Sequence, residues 1–332
     1  MFALDFVAPY KVPRRGSTTA ALWARETAAR TPPVPPLTFA EAWRAYRRTE
    51  PRLPPKPPPV APRRVADLGE IADGFDLFVL DAWGVLNLGD TPIAGAAAAV
   101  ARLRAAGKRL LVLSNDGTRE SEAAAERHRR RGFDFRAEDI LPGIALLPDV
   151  LAGLGSAAPL GLIADPPAPY PALTGAMSPL DDDPAAYDAV SGFVFLSSDS
   201  WSEARQALLQ QSLARRPRPL VIGNPDIVSP EPDGMAAEPG LFGHRIAEAT
   251  GLRPVFCGKP FAPIYARITA RFPAIAPGRV LSVGDTLHTD ILGGRAAGWH
   301  TLLIENGFCR GQDGAALAAE CGIWPDFIAP RL

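Results

Sequence analysis

Two carboxylates five residues apart, Asp285 and Asp290, follow the apolar run Val280–Val283 in V-L-S-V-G-D-T-L-H-T-D-I-L-G-G. A buried strand ending in Gly284-Asp285, with a second acid where a helix is expected to begin, suits a divalent cation. Mg²⁺ takes oxygen ligands and commonly uses one or two carboxylates beside substrate phosphate oxygens. Three other apolar runs also end in polar groups: D-L-F-V-L-D closes on Asp81, R-L-L-V-L-S-N on Ser114-Asn115, and V-F-C-G-K-P on Lys259. Ligand sites of open α/β sheets lie beyond the carboxyl ends of the strands, so these groups are candidates to share one site.

The elements that must position them alternate. The strand ending at Asp81 precedes a helix expected over Gly95 to Ala106, with Gly107 placed to end it. The strand Arg109 to Ser114 and a charged helix, Glu120 to Arg131, follow. Strand, helix, strand with short connections reads as a parallel sheet. Residues 140–253 interrupt the pattern with strands of their own, expected at Leu160 to Ala164, Gly192 to Leu196 and Pro219 to Ile222. An insertion of roughly 110 residues is too long for a loop and reads as a cap domain. Its loops are expected to hold Asp181-Asp182-Asp183, read as an exposed turn rather than a metal site, and S-P-E-P-D-G, Ser229 to Gly234. The fold class is therefore α/β: a Rossmann-like core, residues 66–139 and 254–332, carrying an inserted α/β cap, residues 140–253.

In this order and with these neighbours, Asp81, Ser114, Lys259 and Asp285 resemble the four motifs of the haloacid dehalogenase-like (HAD) superfamily. The match is to its subfamily IIA, with a large C2-type cap, which includes N-acetylglucosamine-phosphate and nitrophenyl-phosphate phosphatases. The similarity covers about residues 70–310 and extends to Ile93–Arg119 and to Gly223-Asn224-Pro225-Asp226. It implies Asp81 as a nucleophile that forms an aspartyl-phosphate, which water then hydrolyses. It also implies a Mg²⁺ ion held by Asp81, Asp285, Asp290 and the backbone carbonyl of Trp83, offsetting the repulsion between nucleophile and phosphate. Ser114, Asn115 and Asp116 would meet the phosphate group, Lys259 would neutralise nucleophile and transferred group, and Asn224 and Asp226 would reach the substrate from the cap. A small phosphorylated metabolite is the implied partner, and a homodimer would fit the subfamily's pairing of large caps.

One position departs from the pattern. Phosphatases of the superfamily usually read Asp-x-Asp, where the second Asp protonates the leaving group; here the first motif is Asp81-Ala82-Trp83-Gly84. General acid–base catalysis is typically worth ~10²–10⁴-fold in rate. Another group could serve (Asp116, Asn87 or His288), the leaving group could need no acid, or the reaction could differ. Dehalogenases of the superfamily carry an aromatic residue two after the nucleophile and attack carbon. They lack the paired acids of the last motif, and their small cap lies between the first two motifs, where only about 30 residues stand here. A metabolite-binding scaffold with little turnover is a third reading.

The apolar fraction, 47%, is ordinary for a globular protein. A formal net charge of −1 offers no basic field for nucleic acid. Three cysteines, Cys257, Cys309 and Cys321, have no metal-ligand spacing and point to reduced thiols and a cytoplasmic setting. No run approaches the ~20 apolar residues of a membrane span, and Asp5 breaks any signal-peptide pattern. The run Arg129-Arg130-Arg131 reads as a solvated helix end, and His244 and His300 as structural.

Residues 1–65 form a proline-rich arm, with T-P-P-V-P-P at 31–36 and P-P-K-P-P-P at 54–59. Between these tracts Leu37 to Arg48 has a helical pattern, with Thr38 as N-cap and Glu41 completing a capping box. Trp23, Phe39, Trp43 and Tyr46 are too many aromatics for a linker. The arm is expected to pack on its own catalytic domain or on a neighbouring subunit, with a ligand for a proline-binding module as the alternative.

Overall fold

Leu77–Leu80 and Arg109–Ser114 are almost wholly apolar, as strands covered on both faces must be. In the computed structural model, which describes residues 33–155, 159–165, 177–231 and 234–332, they sit centrally in a seven-stranded sheet. Its order is Arg63–Arg64, Phe327–Ala329, His300–Ile304, Val280–Gly284, Leu77–Leu80, Arg109–Ser114, Ile140–Pro142. Every neighbouring pair is parallel. Leu77 and Val79 face one core cluster, with Leu111, Leu113 and Val280; Phe78 and Leu80 face another, with Val112, Leu281 and Val283. Helices Ala96–Ala105 and Ser121–Arg130 flank this sheet as the alternation implies.

Register decides where chemistry collects. Leu80 pairs with Val283 on one side and with Val112 on the other. Parallel strands in that register release Asp81, Asp285 and Ser114 together at the carboxyl ends of the strands.

The inserted cap forms a second parallel sheet, ordered Val255–Phe256, Leu220–Ile222, Phe193–Phe195, Leu160–Ile163, Met177–Pro179. Sheet membership suggests cap boundaries slightly later than 140 and 253, because Ile140–Pro142 pairs in the core sheet and Val255–Phe256 in the cap sheet. The loop expected at Ser229 to Gly234 is instead largely an antiparallel pair, Val228–Glu231 with Gly234–Ala237. Pro230 fits there because a two-stranded ribbon is all edge and leaves proline room. Asp183 caps the short helix Pro184–Ala189 from an exposed turn, as expected of that acid run.

The described part of the arm, from residue 33, is ordered by its own chemistry. The helix Phe39–Thr49 starts at Thr38, which accepts from the Glu41 N–H at 3.3 Å, while Glu41 accepts from the Thr38 N–H at 2.9 Å. Ala42, Trp43, Tyr46 and Thr49 recur at helical spacing and are buried. Ala42, Trp43 and Tyr46 pack on Leu287, Ile291 and Phe308 of the core and on Ile227 and Val228 of the cap. Trp23 lies outside the described residues. Arg63–Arg64, at the end of the arm, forms an edge strand of the core sheet.

Candidate active site

Asp81 leaves the sheet with its Oδ1 accepting the Ala82 N–H at 2.7 Å and the Lys259 ammonium at 2.6 Å. Lys259 is buried and also reaches Asp290 Oδ1 at 2.7 Å. One ligand oxygen from each of Asp81, Asp285 and Asp290 lies within 4.8 Å of the others. Residues some two hundred positions apart thus meet at a single point.

The seating of Asp285 depends on glycine. A Cβ on Gly84 would fall 1.7 Å from Asp285 Oδ2, and one on Gly307 would fall 2.1 Å from the same oxygen. Gly84 also has φ +78°, a conformation that glycine adopts freely. The carbonyl of Trp83 belongs to the peptide leading into Gly84. Asp285 is held further by the Phe308 N–H at 2.6 Å and the Thr286 hydroxyl at 2.9 Å. Its partner acid sits in a turn, Leu287–Ile291, of wider bore than an α-helix, and the helix proper begins only at Leu292. Such turns occur frequently at functional sites.

Two buried carboxylates, Asp285 and Asp290, and the half-buried Asp81 face one ammonium here. Burial and then Asp290 push the Asp81 carboxyl well above its ordinary range, against the pull of Lys259. Burial and Asp290 likewise push Asp285 up to about 7, opposed by the Phe308 N–H and the Thr286 hydroxyl. Burial alone would lower Lys259, but Asp290 and Asp81 outweigh it and keep the ammonium charged. The uncompensated negative charge and the all-oxygen donor set both fit a hard divalent cation.

A cavity of about 210 Å³ opens over this cluster, lined on the core side by Asp81, Trp83, Ser114 and Asp116. Asp226, Ser229 and Glu231 close it from the cap. The other candidates bind protein groups as well. Asn115 accepts the Lys259 N–H at 2.8 Å and donates to Asp226 Oδ1 at 2.9 Å, bracketing cap and lysine. Ser114 Oγ accepts from the Asp116 N–H at 3.1 Å, and Asp116 in turn accepts from the Thr118 N–H at 2.8 Å. Asn224 accepts the Asp226 N–H at 3.0 Å and donates to Glu238 at 2.8 Å. Burial pushes Asp226 up to about 6, against Lys259 and Asn115.

Two of the proposed substitutes for an acid are engaged elsewhere. Asn87 donates to the Gly89 carbonyl and accepts from Arg131, while His288 faces Glu50. Trp83 is clamped: Arg127 and Arg131 stand 4.8 and 5.0 Å from its ring, and its indole N–H donates to Glu231 at 3.2 Å. Arg131 is therefore no solvated helix end. It is buried and anchored to Asn87, the Gly89 carbonyl and Asp90. Sequence reasoning also missed Arg119, Arg127, Ser197 and Asp199 in the cavity wall, since isolated polar residues on helices and cap loops have no signature. Among the described residues, no helix is long and apolar enough to cross a membrane.

The chain is similar in sequence and fold to known proteins. The family model described as haloacid dehalogenase-like hydrolase matches residues 78–163, and a HAD-hydrolase-like model matches residues 256–332. Glycerol-3-phosphate phosphatase of Gallus gallus is 31% identical over 289 residues, covering 77% of this chain and 89% of that protein. A possible sugar phosphatase from Cytophaga hutchinsonii superimposes with TM-score 0.73 at 22% identity, over 82% of this chain and 98% of its own. Glycerol phosphate phosphatase from Mycobacterium tuberculosis, solved in complex with magnesium, gives TM-score 0.60 at 25% identity, over 78% and 75% of the two chains.

Proposed function

The chain belongs to the haloacid dehalogenase-like hydrolase family, and from that premise we propose that it removes phosphate from a small phosphorylated metabolite with Asp81 as nucleophile. The observation that carries the reading is the Lys259 ammonium held between Asp81 and Asp290, with Asp285 beside them. The magnesium complex of a relative supports Mg²⁺ as the cation. Asp81, Asp285, Asp290 and the Trp83 carbonyl would hold it, and it would lower the repulsion between nucleophile and phosphate.

Asp81 then attacks phosphorus through one carboxylate oxygen. A new O–P bond forms to Asp81 as the bond to the leaving oxygen breaks. Ser114 and the neighbouring N–H groups hold the equatorial oxygens, and Lys259 balances the charge of nucleophile and transferred group. The leaving oxygen must gain a proton that Trp83 does not supply, because an indole N–H is a hydrogen-bond donor and not an acid. Water finally attacks phosphorus, releasing inorganic phosphate and restoring the carboxylate. The cap walls limit water and select the substrate.

The test is phosphate release from a panel of phosphate esters with Mg²⁺ and with chelator. Release that requires the metal and disappears in Asp81→Asn supports the reading. Metabolite binding without turnover would point to a scaffold, and chelator-insensitive halide release to attack on carbon.

A further inference from the structure

The turn between Asp285 and Asp290 carries His288, which is fully buried and faces away from the carboxylates. Its surroundings come from the arm. The imidazole stacks on Tyr46 at 5.1 Å and 19°, meets the edge of Trp43 at 5.3 Å, and lies 3.1 Å through Nε2 from Glu50 Oε1. An ionised carboxylate can only accept, so Nε2 is the donor toward Glu50. Glu50 is itself fixed by Arg47 at 2.9 Å and by Lys56 at 2.7 Å, and Lys56 also donates to the Cys321 carbonyl at 2.7 Å.

The same segment grips the cap. The Leu37 N–H donates to the Met235 carbonyl at 2.8 Å in an antiparallel bridge, and the Val34 N–H donates to Trp201 O at 3.1 Å. Arg52 Nε donates to His244 Nδ1 at 3.3 Å. Met235 stands opposite Pro230 in the ribbon that supplies Ser229, Pro230 and Glu231 to the cavity wall. One stretch of chain thus touches both the carboxylate turn and the cap wall facing it.

We propose that residues 34–56 form a strap that sets the carboxylate turn and the cap wall against each other, with Tyr46 and Glu50 as positioning residues that act on Asp285 and Asp290 through His288. The proposal rests on the reading of those acids as cation ligands. Mutually repelling carboxylates need an external support to stay converged, and the turn that carries them packs directly on the arm helix. Groups that orient ligands from behind are commonly worth ~10–100-fold in metal affinity.

The experiment uses the full chain and measures Mg²⁺ by calorimetry and Mn²⁺ by electron paramagnetic resonance, without substrate. Tyr46→Leu and Glu50→Ala should weaken both ions about tenfold. Tyr46→Phe keeps the stacked ring but loses the hydroxyl's hydrogen bond to the Ile227 backbone, and should fall between the parent and Tyr46→Leu. Leu37→Pro removes one N–H from the ribbon and should raise KM for a phosphate ester while leaving metal affinity alone. Unchanged metal affinity in folded Tyr46→Leu and Glu50→Ala would overturn the strap, as would equal losses in Tyr46→Phe and Tyr46→Leu. If Glu50→Ala unfolds, Glu50→Leu, which fills the same space without an acceptor for His288, decides the point by the same measurement. Asp285→Asn is the control: if it binds metal as the parent does, the ligand reading fails and not the strap.

Discussion

Asp285 rests against the backbone of Gly84, so closely that a Cβ there would fall 1.7 Å from its Oδ2. The sharp turn after the nucleophile strand therefore serves to bring one acid beside another. Gly84→Ala should collapse this arrangement. A non-glycine residue at positive φ costs about 1–3 kcal/mol, and the methyl must also displace Asp285. We expect a folded but less stable protein that has lost metal affinity and phosphate release together, checked by thermal melting, calorimetry and assay. Metal affinity at the parental level would show that Asp285 has another seat.

The charge imbalance around Lys259 makes a pH prediction. Without metal, burial and Asp290 push the Asp285 carboxyl up to about 7. Cation binding needs the carboxylate, so each binding event below that pH displaces a proton. Apparent Mg²⁺ affinity should fall at least about tenfold per pH unit on the acid side of that value, more steeply where Asp81, raised as well, also gives up a proton. Calorimetry in buffers of different ionisation enthalpy would count the proton. A flat affinity through this range would mean that the acids are already ionised without the metal.

Trp83→Asp restores the family's usual acid in sequence but not in environment. Arg127 and Arg131 stand within 5.0 Å of the present ring. They would keep a new carboxylate ionised, whereas a general acid must be protonated. The gain on an alkyl phosphate should stay well below the ~10²–10⁴-fold of a working acid. Removing the nearer guanidinium as well, in Trp83→Asp with Arg127→Ala, should recover more of it. A full gain in the single variant would show that the arginines do not govern this position.

Legibility followed the range of the signal. Strand ends at Asp81, Ser114 and Asp285 could be read because buried parallel strands are continuous apolar runs, and the arm helix because Thr38 and Glu41 announce its start. The ribbon at Val228–Glu231 was hidden by Pro230, which speaks for a loop unless the strand is at an edge. Arg131 was hidden because its burial depends on Trp83 and Asn87, far away in the chain. The contact of Tyr46 with His288 was equally invisible, since nothing in either segment names the other.

Asp226 is the cap carboxyl whose charge bears on Asp81 and Lys259 alike, and this makes it the group to test for the leaving-group proton. Burial pushes it up to about 6, opposed by Lys259 and by the Asn115 amide. A raised acid is protonated below that pH and can donate there; above it, donation fades. For alkyl phosphates, which leave poorly, kcat should decline as pH rises through this range, and Asp226→Asn should remove the decline and lower the rate about a hundredfold. For p-nitrophenyl phosphate, whose leaving group needs little help, the same variant should change little. The shift also has a stability sign. The protonated form is favoured in the folded chain, so its contribution is complete below the ordinary Asp range and lost as pH rises through about 6. Asp226→Asn should therefore melt higher than the parent near about pH 8 and no higher near about pH 4. Equal losses on both esters, with no change in melting, would assign Asp226 to cap positioning through Asn115 rather than to proton transfer.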